Sequence, residues 1–547
     1  MKLAIFFLAL CLLIVSPSAF AQEHQHAQAE ADDVPLTFPA ELLERPVTIR
    51  AGTGAQTIND PVTTSSKEAQ AFYTQGVAYL HGYVFIEAAR SFNQALRLDP
   101  KLAMAYVGLS RAYAGLNVWE AARAAVDQAQ ALAPGASKRE QLRIALRAKQ
   151  LTAIADRGNM VKFSEYKKAL DEALAAYPQD TELWLLRGNA EEDSAAGRGQ
   201  RGGEASIQFY EKALQLVPDN IAAHHYLTHS CENVGRIPEA LQHGEVYARL
   251  AFSVPHALHM YGHDLRRVGR VADAITQFRR ADQLELDYYK AENIPPQFDW
   301  HHEHNLDLLA TSYQHQGQMK EAERIMRQAF TIPSMQDTLE FNKKQWPQFL
   351  IARGRMQEAL EAAARLSRSR SDIVRAIGFI FVSHAEMALN DLPAASAAAK
   401  SALREMQQMG SRATLVTPYM EALQGEFFLR TGEAEKGRGM LKQVVSKIRS
   451  ERGPDAWVQA LFRLEAIGAA ARRAGDWELA ETMARQMLDH DPAYAGSHYA
   501  LALAAEHKND NAVAIKEYAE AEKLWRNADA DLPELQQARA RLAVLRK

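Results

Sequence analysis

Cysteine is almost missing from this chain. Of 547 residues only Cys11 and Cys231 are cysteines, so no disulfide framework can staple the fold and no thiolate-rich zinc cluster can be built. Excess charge of one sign is missing as well. The formal net charge is −4, with acids and bases interspersed, which leaves no electrostatic footprint for nucleic acid or an anionic membrane as partner. No apolar run beyond the N-terminus approaches the roughly 18 residues a membrane span needs, so the mature chain is expected to have none. Glycine-rich phosphate loops, a GxSxG nucleophile, a CxxCH haem site and a CxxC pair are absent too.

What is present begins with Met1-Lys2, an apolar run from Leu3 to Val15, and small residues ending Ala19-Phe20-Ala21. A basic start, a short apolar core and an A-x-A ending are the parts of a secretory signal peptide. Cleavage is expected after Ala21, giving a periplasmic or secreted protein and removing Cys11. Residues 22–66 have no helical period and many Pro, Thr and Gly, and are expected to form an extended or disordered arm.

From residue 67 the sequence repeats. Gly76, Tyr79, Ala88, Phe92, Ala95 and Pro100 recur 34 residues on as Ser110, Tyr113, Ala122, Val126, Ala129 and Pro134. Near the C-terminus Ala480, Ala484 and Met487 recur as Ala514, Tyr518 and Ala521. This period and order resemble the tetratricopeptide-repeat (TPR) consensus, in which small residues let two antiparallel helices approach and Pro ends the second. The resemblance implies an all-α solenoid of about twelve helix-turn-helix repeats, with its ligands on the concave groove. The expected segments are N-terminal repeats over 67–220, His-rich repeats over 221–339, C-terminal repeats over 340–528 and a capping helix over 529–547. Phase is lost after Gly197, around 293–298 and around 367–371, where insertions are expected.

Histidine is unevenly spread. Ten of the 18 lie between His224 and His304. With repeats starting at Ile221, Pro255 and Glu303, His225 and His229 take positions 5 and 9 of one repeat, and His259 and His263 take the same positions of the next. His256 and His304 both fall at position 2. Spacings of three, four and seven residues put these positions on one helical stripe, so the six histidines are expected to converge. Two HxxxH pairs with two further imidazoles form a set with metal-ligand spacing, suited to copper, zinc or iron. Glu232, Asp307, Glu192 and Asp193 are further ligand or supporting candidates. His301 and His302 are expected to precede a helix and cap it, and Cys231 to be a buried thiol.

The strings His225-Tyr226-Leu227-Thr228-His229, Pro255-His256-Ala257-Leu258-His259-Met260-Tyr261-Gly262-His263 and His304-Asn305-Leu306-Asp307 resemble the HYxxH, PHALHMxxH and HN signatures of a group of exported bacterial TPR proteins. The resemblance implies that the three segments share one site and supplies no reaction; Gly262 and Asp264 depart from the pattern. The expected function is a metal site in the groove, serving as a metalloenzyme or as a metal carrier. The alternatives are a metal-free scaffold binding a peptide or protein in the groove, and a structural protein of the cell envelope. A hydrogen-bonding histidine patch without metal fits the same residues.

Overall fold

The computed structural model describes residues 38–547, apart from 157, 193, 335, 336, 452 and 453. The expected signal peptide, Cys11 and the first part of the expected arm lie outside the described residues. No helix among the described residues is long and apolar enough to cross a membrane.

Among these residues all regular structure is helical, and twelve antiparallel helix pairs succeed one another from Lys67 to Leu524, closed by the single helix Pro533–Leu545. Neighbouring helices pack in chain order, which makes the molecule an α-solenoid. The first pair is α1 (Lys67–His81) and α2 (Phe85–Leu98). The pairs that carry the histidines are α3 (Ile221–Asn233) with α4 (Ile237–Leu250), α5 (Pro255–Arg267) with α6 (Val271–Glu292), and α7 (Trp300–His315) with α8 (Met319–Thr331). The small residues of the repeat act as expected. A Cβ on Gly108 would lie 2.4 Å from the Phe92 ring, and one on Gly262 would lie 2.7 Å from Phe278, so only glycine lets those aromatics fill the space between helices.

Each turn between paired helices needs a left-handed residue. Gly235, Gly269, Gly317, Gly354, Gly432, Gly475, Asn117, Asn390 and Asn509 occupy this place with positive φ, as residues tolerant of that region do. The α1–α2 turn instead uses Tyr83, at φ 59°. A tyrosine backbone held there is strained by about 1–2 kcal/mol, and the location of its ring gives the reason below.

Three features differ from expectation. The described part of the arm, from Phe38, is an ordered strap: it contains the short helix Ala40–Glu44 and buries Leu42, Leu43 and Val47. Its backbone at Gly52 accepts from Ser253 N–H at 3.0 Å, and Arg45 donates to the Glu292 carbonyl at 3.1 Å. Too few apolar residues in no period hide such a strap from pattern reading. An additional short helix, Asp337–Asn342, interrupts the repeats before Gln345–Ala352, at a point where no insertion was expected. And α7 starts at Trp300 rather than Glu303, with Asp299 as its N-cap accepting from His301 N–H at 3.0 Å. His301 and His302 therefore lie inside the helix and do not cap it.

The solenoid winds back on itself. Asp491, at the end of the helix Trp477–His490, reaches Arg266 on α5 at 3.2 Å and His315 on α7 at 3.0 Å. The strap and α1 lie against the other side of the same central repeats, through Tyr226 on His81 and Phe252 on Gly52. The face that carries the histidines is thus an interior, where an open concave groove was expected.

Candidate metal centre

The six histidines form two groups of three. His225, His229 and His256 bring one ring nitrogen each within 4.8 Å of one another, as do His259, His263 and His304. The i, i+4 spacing on α3 and α5 brings His225 beside His229 (ring centroids 4.9 Å) and His259 beside His263 (4.6 Å), each pair tilted by about half a right angle. Position 2 of the following repeat supplies the third ring in each case. The two triads adjoin through His256 and His259, whose rings stack at 5.8 Å.

Both triads are buried, with His225 and His259 at 0% exposure and His304 half-buried. Burial outweighs the opposing bond to the His81 carbonyl and, with the smaller effects of His81 and His301 charge, pushes His225 down to about 3. Burial and the neighbouring imidazoles hold His229, His256 and His259 well below the usual histidine range. These four rings are therefore neutral at pH 7, the form in which imidazole carries a lone pair for a metal.

Their tautomers follow from what surrounds them. His225 Nδ1 lies 2.6 Å from the His81 carbonyl, which can only accept, so Nδ1 carries the proton and Nε2 the lone pair. Asn305 donates through its amide nitrogen to the Phe278 carbonyl at 3.0 Å, which turns its Oδ1 toward His259 Nδ1 at 3.0 Å and leaves His259 Nε2 the lone pair. His263 Nδ1 faces Glu232 Oε1 at 3.5 Å. The Nε2 atoms of His229, His259 and His263 are buried without a hydrogen-bond partner among the described residues. Such orphaned polar atoms cost on the order of 1–3 kcal/mol each. His225 Nε2 and His256 Nε2 stand 3.0 Å apart, close to the roughly 3.3 Å between two nitrogens on one tetrahedral ion at 2.0–2.1 Å.

The supporting candidates divide. Glu232 reaches the site: burial opposes its ionisation, but the bond and charge of His263, with Arg267, keep its carboxyl below the usual range. Glu192 does not coordinate; its carboxylate accepts the backbone N–H groups of Arg198 (3.3 Å), Gly199 and Arg201 (3.2 Å) and holds the insertion after Gly197. Asp307 belongs to neither triad and lines a small cavity with Glu303, Asn342 and Lys343. Asp193 lies outside the described residues. Cys231 is buried and its thiol is pushed up to about 11 by burial, which keeps it protonated.

Pattern reading missed the rings that enclose the triads. Tyr83 packs on His225 at 4.6 Å and on His256 at 5.0 Å, and its hydroxyl donates to the Arg198 carbonyl at 2.7 Å. Trp300 stacks on His304 at 5.8 Å and lies 5.9 Å from His256. His301, 4.8 Å from His259 and 5.0 Å from His256, is held at Nδ1 by buried Glu285 and has its Nε2 unpartnered among the described residues. The aromatic in place of Gly or Asn at turn residue 83 was the available signal for Tyr83. Asp299 as an N-cap was the signal for His301.

A tetratricopeptide-repeat family profile matches residues 85–137 and 466–529, the first two and the last two repeat regions; the histidine-bearing repeats lie between. No curated protein matches the chain. Among solved structures, yeast Tom70 is 13% identical over 88% of this chain and 96% of its own, with a TM-score of 0.31. The Cut9–Hcn1 hetero-tetramer of the APC/C is 13% identical over 88% and 90%, with a TM-score of 0.30. A tetratricopeptide-repeat protein from Parabacteroides merdae is 15% identical over 51% of this chain and 98% of its own, with a TM-score of 0.35.

Proposed function

We propose that this chain is an exported metalloprotein whose TPR solenoid holds two adjacent transition-metal ions, one on His225, His229 and His256 and one on His259, His263 and His304. The observation that carries the reading is the convergence of two histidine triads in which the buried Nε2 atoms of His229, His259 and His263 have no hydrogen-bond partner among the described residues. Burying such a set without an occupant is costly, and an ion in each triad satisfies it. Three nitrogen ligands leave a coordination position open for an exogenous ligand, as catalytic rather than structural zinc and copper sites do. His81, Asn305 and Glu232 act by fixing ring tautomers. The chemistry of the donors suits copper, zinc or iron, and both catalysis and metal carriage are compatible with an open position.

Metal analysis of untagged protein purified from the periplasm tests this. One ion per triad is expected after loading with Cu, Zn or Fe. Less than about 0.1 ion per chain, unchanged by added metal, would sink the proposal. N-terminal sequencing of the same material is expected to begin near Gln22; a chain retaining Met1 would count against export.

A second reading is favoured by a separate cavity. TPR scaffolds are suited to protein–protein interaction, and the C-terminal repeats enclose about 210 Å³ lined by Phe349, Phe381, Tyr419, Phe462 and Arg463. Arg463 Nη2 and Gln345 Nε2, both lining it, are buried without a partner among the described residues. These donors suit the backbone carbonyls of a peptide. Arg463→Ala is expected to lose a co-purifying partner from metal-free protein; an unchanged set of partners would remove this reading.

A further inference from the structure

A second cavity, of about 60 Å³, is lined in part by Tyr83 and contains none of the triad histidines in its lining. Three arginines line it, Arg111, Arg147 and Arg198, together with Phe85, Trp119, Gln150, Asn189 and Tyr226. Their charges are unequally balanced. Arg111 pairs with Glu182, but that carboxylate is shared with His81, whose Nε2 lies 2.8 Å from it. Arg147 is 6% exposed and bonds only neutral acceptors: Ser110 Oγ at 3.0 Å, the Ser110 carbonyl at 2.8 Å and Gln150 Oε1 at 2.7 Å. Arg198 donates to the Ala114 carbonyl at 3.2 Å and lies over the Phe85 ring at 5.3 Å. Among the described residues neither Arg147 nor Arg198 has a carboxylate within ion-pair distance. The nearest acid to Arg198, Glu192, spends its oxygens on backbone N–H groups.

A buried guanidinium with no counter-ion is among the costliest arrangements in a protein interior. Here one such group, Arg147, and the half-buried Arg198 face one cavity, with a third arginine beside them whose partner is shared. The electrostatic burden is visible in Arg147 itself: burial, then the charge of Arg111, lowers its pKa to about 9. Planar guanidinium forks match the oxygens of phosphate, sulfate or carboxylate. The volume sets the size of the guest. At roughly 10–15 Å³ per water, the cavity has room for about four to six waters, enough for a tetrahedral oxoanion or a two-carbon dicarboxylate and too few for a nucleotide or a peptide end. We propose that Arg111, Arg147 and Arg198 form a binding site for a small oxoanion or carboxylate. The site does not depend on metal in the histidine triads, although Tyr83 is a wall of both.

Isothermal titration calorimetry at low ionic strength, on metal-free full-length protein, tests the site with inorganic phosphate, sulfate and oxalate as separate probes. At least one is expected to bind with Kd below about 1 mM, a modest affinity for a handful of charge-assisted bonds. Arg198→Gln, at a half-buried residue, is expected to weaken it at least tenfold, and Arg147→Lys, which keeps the charge but not the fork, by a similar factor. Thermal melting of both variants without anion checks that they fold, and the anion is expected to raise the melting temperature of the parent more than that of either variant. Absence of binding for all three probes up to 10 mM, or binding that both folded variants retain in full, would overturn the proposal. Metal content of the same variants is read separately, so failure here leaves the triads untouched.

Discussion

At the scale of single residues, the candidate site is defined by its tautomers as much as by its ligands. His259 presents Nε2 to its triad because Asn305 Oδ1 occupies Nδ1, and Asn305 is itself oriented by the Phe278 carbonyl. Asn305→Ala removes that acceptor without touching a ligand. It is expected to weaken metal binding in the second triad about 10–100-fold, measured by competition with a chromophoric chelator, while the first triad keeps its affinity; equal affinities before and after would show that Asn305 does not set the ring. A different histidine gives the pH dependence. His243, 3.0 Å from His224 through their Nδ1 atoms, is pushed down to about 4 by burial and then by His224. Its unfolded value is about 6.5, so between pH 6.5 and 4 the unfolded chain takes up a proton that the native one refuses. Its contribution is fully present above pH 6.5 and is lost as pH falls toward 4, by about 1–2 kcal/mol at pH 5. In metal-free protein, His243→Gln is therefore expected to narrow the gap between urea midpoints at pH 7.5 and pH 5; an unchanged gap would show that His243 titrates alike in both states.

At the scale of elements, periodicity carried most of the reading. The 34-residue phase specified paired helices because Gly76, Gly108 and Gly262 sit where a Cβ would strike Phe92 or Phe278. The i, i+4 pairs on α3 and α5 were legible for the same reason, since a helix turns residues four apart onto one face. What escaped is non-periodic. The strap is held by Leu42, Leu43 and a few polar bonds, Tyr83 comes from a turn, and His301 depended on where α7 starts. The inward position of the triads was not legible either, because it depends on long-range closure by α1 and the strap rather than on any one repeat. The division into triads leads to a test at this scale. Replacing His225 and His229 together by Ala takes two of the three ligands of one group, both from α3. Loss of one bound ion and retention of the other is expected, with helical circular dichroism checking that the variant, which loses two buried rings, keeps its fold. Loss of both ions with the fold preserved would instead mean a single shared centre.

At the scale of the whole molecule, the site exists because distant parts of the solenoid meet on the central repeats. The strap and α1 close one side, and on the other Asp529 N–H donates to the Gly317 carbonyl at 3.1 Å while Arg353 pairs with Glu534 at 2.7 Å. The deepest of these contacts is Asp491, 4% exposed in its side chain, between Arg266 and His315. Burial opposes ionisation there, but His315 and Arg266 outweigh it, and the Asp491 carboxyl lies well below the usual range. His315 is pushed down by burial and by Arg266, so the arrangement is an ionised Asp491 paired to Arg266 and accepting from a neutral His315. Asp491→Ala leaves Arg266 buried without its partner, which costs about 3–5 kcal/mol and is expected to lower the urea midpoint accordingly; Asp491→Asn keeps an acceptor for His315 and is expected to lose less. The contact has a second consequence. Arg266 is on α5 and His315 on α7, the two helices that supply the second triad, whereas α3 makes no bond to Asp491. Asp491→Ala is therefore expected to weaken metal binding on His259, His263 and His304 more than on His225, His229 and His256. Equal weakening would mean that closure acts on the solenoid as one body, and an unchanged midpoint would show that Asp491 is not the clasp.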